Sequence, residues 1–160
     1  MSRFVIDDEH VLLLDDADDH WVAGKCVWLS GGYANVRLST GCAGAKRVFV
    51  HRLVVQPAPD ELIDHINRNR LDCTRANLRI ATRSQNLCNR GKAKHNKSGY
   101  KGVYFCKQTQ RWRAEIRFNN QRVKIGRFDS LIVAAQAYDA MAVQMHGEFA
   151  YTNFGPRGDA

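Results

Sequence analysis

The chain has 160 residues, of which 44% are apolar and 25% charged, and its net charge is +8. This balance favours a folded chain over a disordered one, and no apolar stretch approaches the roughly 18 residues of a membrane span. The five cysteines (Cys26, Cys42, Cys73, Cys88 and Cys106) are odd in number and show no Cys-x-x-Cys spacing, which argues against a disulfide framework or a thiolate zinc site.

The length suits one ordinary domain or two to three small modules. The acidic N-terminus does not resemble a signal peptide, so the expectation is a soluble, cytoplasmic protein that is not secreted. Charge is unevenly placed. Residues 1–20 carry one basic and seven acidic side chains, whereas residues 91–130 carry eleven basic and two acidic ones. Such a concentration fits a polyanionic partner and, equally, a solvated basic face.

Residues 1–50 read as strands joined by turns. KCVWLS and YANVRLS flank Gly31-Gly32, a hairpin signal, and a glycine-rich turn, GCAGA, leads into the strand KRVFV. The turn lacks the spacing of a phosphate-binding loop. The run DDADDH lacks the spacing of a calcium hand and reads as a solvated turn.

Residues 51–90 form a second segment: a short helix at HRLVVQ, a strand at LIDHI, a polar loop, a strand at LRIA and a short helix at TRSQNLCNR, with Thr82 as its expected cap. Residues 91–97 are a basic linker. From residue 98, GYKGVYF, RWRAEIRF and QRVKIGRF alternate as strands, and Asn119-Asn120 joins the last two in a tight turn. Ser130 then caps a helix that ends at Gly147. Its positions Val133, Ala134, Ala137, Tyr138, Met141 and Met145 are expected to cover one sheet face.

Alternation puts Arg111, Arg113, Glu115 and Arg117 on one side of the middle strand and Trp112, Ala114 and Ile116 on the other, toward the helix. The next strand adds Arg122 and Lys124, and by strict alternation Gly126, to the outer set. A small basic sheet face can enter the DNA major groove, where Arg pairs bidentately with guanine and Lys mostly meets phosphate. It lacks the outward aromatic pair with which RNA-recognition modules stack bases.

The segments YKGV, WRAEIR, KIGRF and AAQAYDAMAVQMHGEFAYTNF resemble the plant ethylene-response-factor, or APETALA-two, DNA-binding domain over roughly residues 98–154. That resemblance implies a three-stranded antiparallel sheet on one helix, double-stranded DNA as partner, and Lys101, Tyr104, Arg113, Arg117, Arg122 and Lys124 as contacts. Lys124 stands where the plant proteins commonly have an aromatic residue. Asn153 and Phe154 fall at a position that packs the end of the domain.

Within residues 51–90, Asp64 is a hard oxygen donor, His65 titrates in the range of a base near neutrality, and Asn77 and Asn86 offer amide groups. HRLV, DHIN, LD and ANLRIATRSQN resemble the HNH nuclease family, with its strand–strand–helix metal motif. The resemblance implies a divalent metal, Mg2+ first and Mn2+ second, held by Asp64 and Asn86. It makes His65 the general base and Asn77 the support of the loop. Asn at the last position is a variant of homing-type phage nucleases, which implies a bacterial or phage-infected cell. His51 reads as a core residue or as support to the site. The family commonly has Asp-Asn-Arg after the loop. Here the run is Asp72-Cys73-Thr74-Arg75, and Cys tolerates left-handed turns less well than Asn, so a strained or rerouted turn is expected at Cys73.

The overall expectation is an α+β chain. A β-rich region spans residues 1–50, the nuclease motif 51–90 and the linker 91–97; the DNA-binding domain covers 98–154 and a tail 155–160. The expected function is DNA endonuclease, with a non-catalytic DNA-binding regulator as the alternative. Asp64 is expected to face the metal and His65 to face open water on the other side of the strand.

Overall fold

The computed structural model describes residues 1–39 and 45–155. The glycine-rich turn with Cys42, and the tail from residue 156, lie outside the described residues. The chain forms two compact units, Met1–Thr82 and the part from Arg83 onward. No helix among the described residues is long and apolar enough to cross a membrane.

The first unit begins with an antiparallel hairpin of β1 (Ser2–Val5) and β2 (Val11–Leu14), followed by a 3-10 turn over Asp16–Trp21. Strands β3 (Val27–Ser30), β4 (Tyr33–Ser39) and β5 (Ala45–Phe49) make an antiparallel sheet with β4 in the middle. Gly31 and Gly32 join β3 to β4 with φ of 61° and 80°, the left-handed pair that a two-residue hairpin turn requires. Helix α1 (Val50–Val55) follows, then the antiparallel pair β6 (Leu62–His65) and β7 (Leu78–Ala81). Leu12, Leu14, Val22, Ala34, Val36, Val50, Leu53, Val54, Cys73 and Leu78 form one buried cluster. Every segment from β2 to β7 therefore contributes to the same core.

Two expectations change in this unit. The run DDADDH is a turn that is solvated only in part: Asp16, Ala17 and His20 are exposed, but Asp18 is only 1% exposed. Cys73 is not the strained residue of the polar loop. It is 1% exposed in the core, and the left-handed residue of the loop is Arg68, with φ of 64°. A small apolar thiol suits that buried place better than Asn would. Burial pushes its pKa up to about 12, so it is a packing residue and not a nucleophile. Cys26, Cys73, Cys88 and Cys106 are all free thiols.

The second unit opens with α2 (Arg83–Cys88) and continues into β8 (Val103–Cys106), β9 (Arg111–Phe118) and β10 (Gln121–Phe128), an antiparallel sheet with β9 in the middle. Asn119 and Asn120 make the β9–β10 turn at φ of 46° and 61°; Asn is the residue after Gly that best accepts this region. Helix α3 (Leu131–His146) packs on the sheet. Its alanine content favours the helix, the Ser130 side chain accepts from the Val133 amide, and Gly147 stops it at positive φ. Small residues let α3 lie close to the strands: Ala134, Ala135 and Ala142 are fully buried beside Tyr138. Val133 does not join them and is 48% exposed. Ala134 and Tyr138 are buried and Met141 and Met145 pack at the flank as expected, and Ala135 and Ala142 join the buried stripe.

The chain is thus α+β as expected: a small N-terminal β region, the strand–strand–helix series β6–β7–α2, and a three-stranded sheet on one helix.

Candidate active site and nucleic-acid interface

Asp64 and His65 end β6, and the register of the pair places Asp64 opposite Arg79 and His65 opposite Leu78. Adjacent residues point to opposite faces, so the acid and the imidazole leave the strand on different sides. Both sides are covered, with Asp64 4% and His65 6% exposed. On one side, Arg79 donates to Asp64 Oδ2 through Nε at 2.9 Å and Nη2 at 2.6 Å. On the other, the His65 ring lies 5.2 Å from that of His51 and 5.9 Å from that of Tyr33.

His65 therefore does not stand in open water. The aromatic end of β4 and the start of α1 close over it. Burial pushes its pKa down from 6.5 to about 4, against the raising influence of Asp64 and Asp72 and with a further lowering from Arg70. His51 is likewise lowered to about 4, first by burial, then by His65 and Arg52. Its Nδ1 has no hydrogen-bond partner among the described residues. His51 is thus both a core residue and the nearest ring to His65, so the two readings of it coincide.

Asn77 closes the polar loop from inside. Its Oδ1 accepts from the Asn67 amide at 2.9 Å, its Nδ2 donates to the Asp72 carbonyl at 2.8 Å, and its carbonyl accepts from the Ile66 amide at 2.8 Å. The N-terminal region holds the same loop from outside. The Leu13 amide donates to Leu71 at 2.8 Å and the Cys73 amide to Leu13 at 2.9 Å, while Arg75 grips Asp18 with Nε at 2.8 Å and Nη2 at 2.7 Å. Asp15 accepts from the Arg75 amide. None of these clamps is visible in local sequence, because the partners lie some sixty residues apart in the chain.

Asn86 is half-buried on α2, in the second unit, whereas Asp64, His65 and Asn77 belong to the first. Among the described residues, no group of three or more His, Cys, Asp or Glu side chains could hold a metal ion. Lys101 anchors the end of α2: its ammonium donates to the carbonyls of Cys88 and Arg90, each at 2.6 Å, and sits 4.9 Å from the Tyr151 ring centroid. A cation at the C-terminal carbonyls of a helix is favourable. The expected DNA contact at Lys101 is thus placed on helix-end carbonyls and off the sheet face.

The sheet face itself is basic. Tyr104 on β8 and Arg122, Lys124 and Arg127 on β10 register with Arg113, Glu115 and Arg117 on β9. A bulge between Lys124 and Gly126 inserts Ile125 and shifts parity by one, so Gly126 faces Ala114 and Arg127 faces Arg113. Gly126 accordingly leaves the outer set and Arg127 enters it, a contact candidate that strict alternation misses. Glu115 sits within this face. Its carboxylate is 3.5 Å from Arg122 Nε; burial first, and then Glu115, raise the Tyr104 phenol above its ordinary range, against a lowering by Arg113. A cavity of about 150 Å³ opens beside the bulge, lined by Arg113, Glu115, Lys124 and Arg127 around Ala114 and Gly126. Behind the face, Asn153 is 3% exposed and ties Lys101 to Asp139, as expected of a residue that packs the end of the domain.

Residues 48–88 match the family model for HNH endonucleases and residues 98–148 that for AP2 domains. An uncharacterized HNH endonuclease, L560, of Acanthamoeba polyphaga mimivirus is 31% identical over 140 residues, 84% of this chain and 71% of that protein. Protein 3.8 of Escherichia phage T7 is 34% identical over 88 residues, 55% of this chain and 72% of its own. The AP2-like ethylene-responsive transcription factor TOE2 of Arabidopsis thaliana is 42% identical over 57 residues, 36% of this chain but only 12% of its own length. With its strand–strand–helix series in the first match and its basic sheet in the second, this chain belongs to the HNH endonuclease family and carries a C-terminal AP2-type DNA-binding domain.

Proposed function

We propose that the protein is a homing-type DNA endonuclease that hydrolyses a DNA phosphodiester at a site found by its C-terminal sheet in the major groove. The observation that carries this reading is the pair Asp64 and His65, held on opposite faces of a buried strand end in the region that matches the HNH family.

The donor set suits a hard divalent ion. Asp64 offers a carboxylate and Asn86 an amide carbonyl, and an ion with few protein ligands that keeps waters and substrate phosphate is Mg2+ before Mn2+. When bound, the ion supplies charge neutralisation on the phosphate and the leaving oxygen. The rest of the chemistry belongs to the chain. His65, neutral well below pH 7, accepts the proton of the attacking water as its oxygen bonds to phosphorus. The opposite P–O bond breaks, and the departing oxygen takes a proton from solvent. Asn77 keeps the loop in register through its hydrogen bonds to Asn67, Asp72 and Ile66, and His51 fixes the plane of the His65 ring. Tyr104, Arg113, Arg117, Arg122, Lys124 and Arg127 hold the duplex.

Supercoiled plasmid incubated with the protein and Mg2+ tests this. Nicking or linearisation is expected in the wild type and a loss of at least about 100-fold in His65→Ala, the usual scale of general-base catalysis. Equal, metal-independent inertness of both proteins on DNA that they bind would leave the protein a DNA-binding regulator.

A further inference from the structure

The sheet of the first unit has an outer face that the nuclease reading does not use. Register puts Arg37 directly opposite Arg47, Asn35 opposite both Trp28 and Phe49, and Tyr33 opposite Ser30. Trp28, Tyr33, Asn35, Arg37, Arg47 and Phe49 therefore share one side, which is closed over the fully buried Asn35 and open at Arg37 and Arg47, while Ala34 and Val36 enter the core from the other. Lys46, paired with Leu38, stands on the core side of the sheet.

Arg37 and Arg47 are both exposed. Like charges directly opposite one another on neighbouring strands destabilise a sheet, and neither side chain meets a carboxylate among the described residues. Arg37 is instead 5.8 Å from the Trp28 ring centroid. Nothing among the described residues accounts for the pair, whereas a polyanion would. At the other end of the same face, Tyr33 carries the Arg70 guanidinium 4.6 Å over its ring and lies beside His65. Arg70 Nη1 is fixed there by the Gly31 carbonyl at 2.8 Å.

We propose that this face is a second DNA-binding surface, on which Arg37 and Arg47 clasp backbone phosphates of the duplex flanking the bond that His65 faces. The partner is DNA because the exposed arginine pair, with the Trp28 ring beside Arg37, lies on the side of the sheet whose other end, at Tyr33, borders His65. Arg37 lies four residues along β4 from Tyr33, about 13 Å at the rise of a strand, or about four base pairs of duplex. The surface rests on the nuclease reading only for its position next to the scissile bond; the binding itself does not.

The test uses the full chain without metal, so that cleavage plays no part, and a linear mixed-sequence duplex as probe. Affinity is measured against salt for the wild type and for Arg37→Gln/Arg47→Gln, with circular dichroism as the check on folding. Two lost phosphate contacts should lower the slope of log K against log salt by about two. A folded variant whose slope matches the wild type overturns the proposal, as does an unchanged DNA affinity with loss of binding to an acidic protein surface alone. In a second arm, methylphosphonate substitution about four nucleotides from the cleaved bond should weaken the wild type and leave the double variant unaffected. If the plasmid stays intact while the slope still falls, the nuclease reading fails and the binding surface stands.

Discussion

Arg79 and Asp64 face each other across β6 and β7, and the guanidinium holds one carboxylate oxygen through two nitrogens, the nearer at 2.6 Å. The side chains are only 10% and 5% exposed. Removing the cation from a buried pair costs far more than removing both charges. Arg79→Met is expected to destabilise the protein by about 3–5 kcal/mol, and Asp64→Asn added to it should restore a large part. Urea unfolding of the two variants and the wild type measures this. A double variant no more stable than Arg79→Met shows that the pair is not the source.

The two lowered histidines give the first unit a pH dependence of definite sign. Folded His51 and His65 titrate near 4 and unfolded histidine near 6.5. Between those values the unfolded chain binds protons that the folded chain does not. Stability is therefore complete above pH 6.5 and falls as pH drops toward 4, by about 1.4 kcal/mol for each unit of displacement. The urea midpoint followed from pH 7.5 to 4.5 should show this loss, and His51→Phe, which keeps a ring and removes one titration, should flatten it. For the same reason the acid limb of kcat/KM for cleavage should lie below pH 6.5.

Asp18 is the anchor that the acidic N-terminal run provides for the loop. Its carboxylate, buried at the core edge, takes two charge-assisted hydrogen bonds from Arg75, whose own side chain is exposed. In Asp18→Asn the loop over residues 66–77 should exchange its amides faster and cleavage should slow, while DNA affinity of the C-terminal sheet is kept. Hydrogen exchange read segment by segment distinguishes loosening of the loop from unfolding of the unit.

Arg127 and Lys101 should behave in opposite ways. Arg127 faces outward beside Arg113, so Arg127→Ala should weaken DNA binding. The loss is about 1–3 kcal/mol and tied to one base pair if the contact is to a base, or about one unit of salt slope if it is to phosphate. Lys101→Ala removes the cation from the Cys88 and Arg90 carbonyls, and its effect should appear in thermal stability before it appears in DNA affinity. A fluorescence binding titration paired with a melting curve for each variant separates the two.

Gly102 tests how closely α3 approaches the sheet. Its φ is +74°, and a Cβ there would collide with the Tyr138 ring and stand 2.7 Å from the Glu115 carbonyl. Both the strained backbone and the collision disfavour any side chain. Gly102→Ala should lower the melting temperature of the second unit and with it DNA binding, and a smaller partner at Tyr138 should not rescue the backbone part of the loss.

The sequence alone determined what is local. Asn119-Asn120 encodes its turn because Asn tolerates the left-handed region, Ser130 and Gly147 delimit α3 through their own caps, and the alternation in RWRAEIR separates Arg113 from Ala114 because successive strand residues point apart. The neighbouring Asp64 and His65 were legible as a candidate site for the same reason, and the family patterns reached the rest of the motif. What joins distant residues was decided only by the tertiary structure. The bulge at Ile125 reverses the parity of β10 and trades Gly126 for Arg127. Asp18, acidic in an acidic run, is buried because Arg75 meets it. Lys101, basic among basic residues, lies on the end of α2. Cys73 fits because β2 and the core receive it, and His65 is covered because Tyr33 and His51 fold over it. A residue's own type sets its backbone preferences and its alternation, whereas its burial and its partners depend on chain far away in sequence.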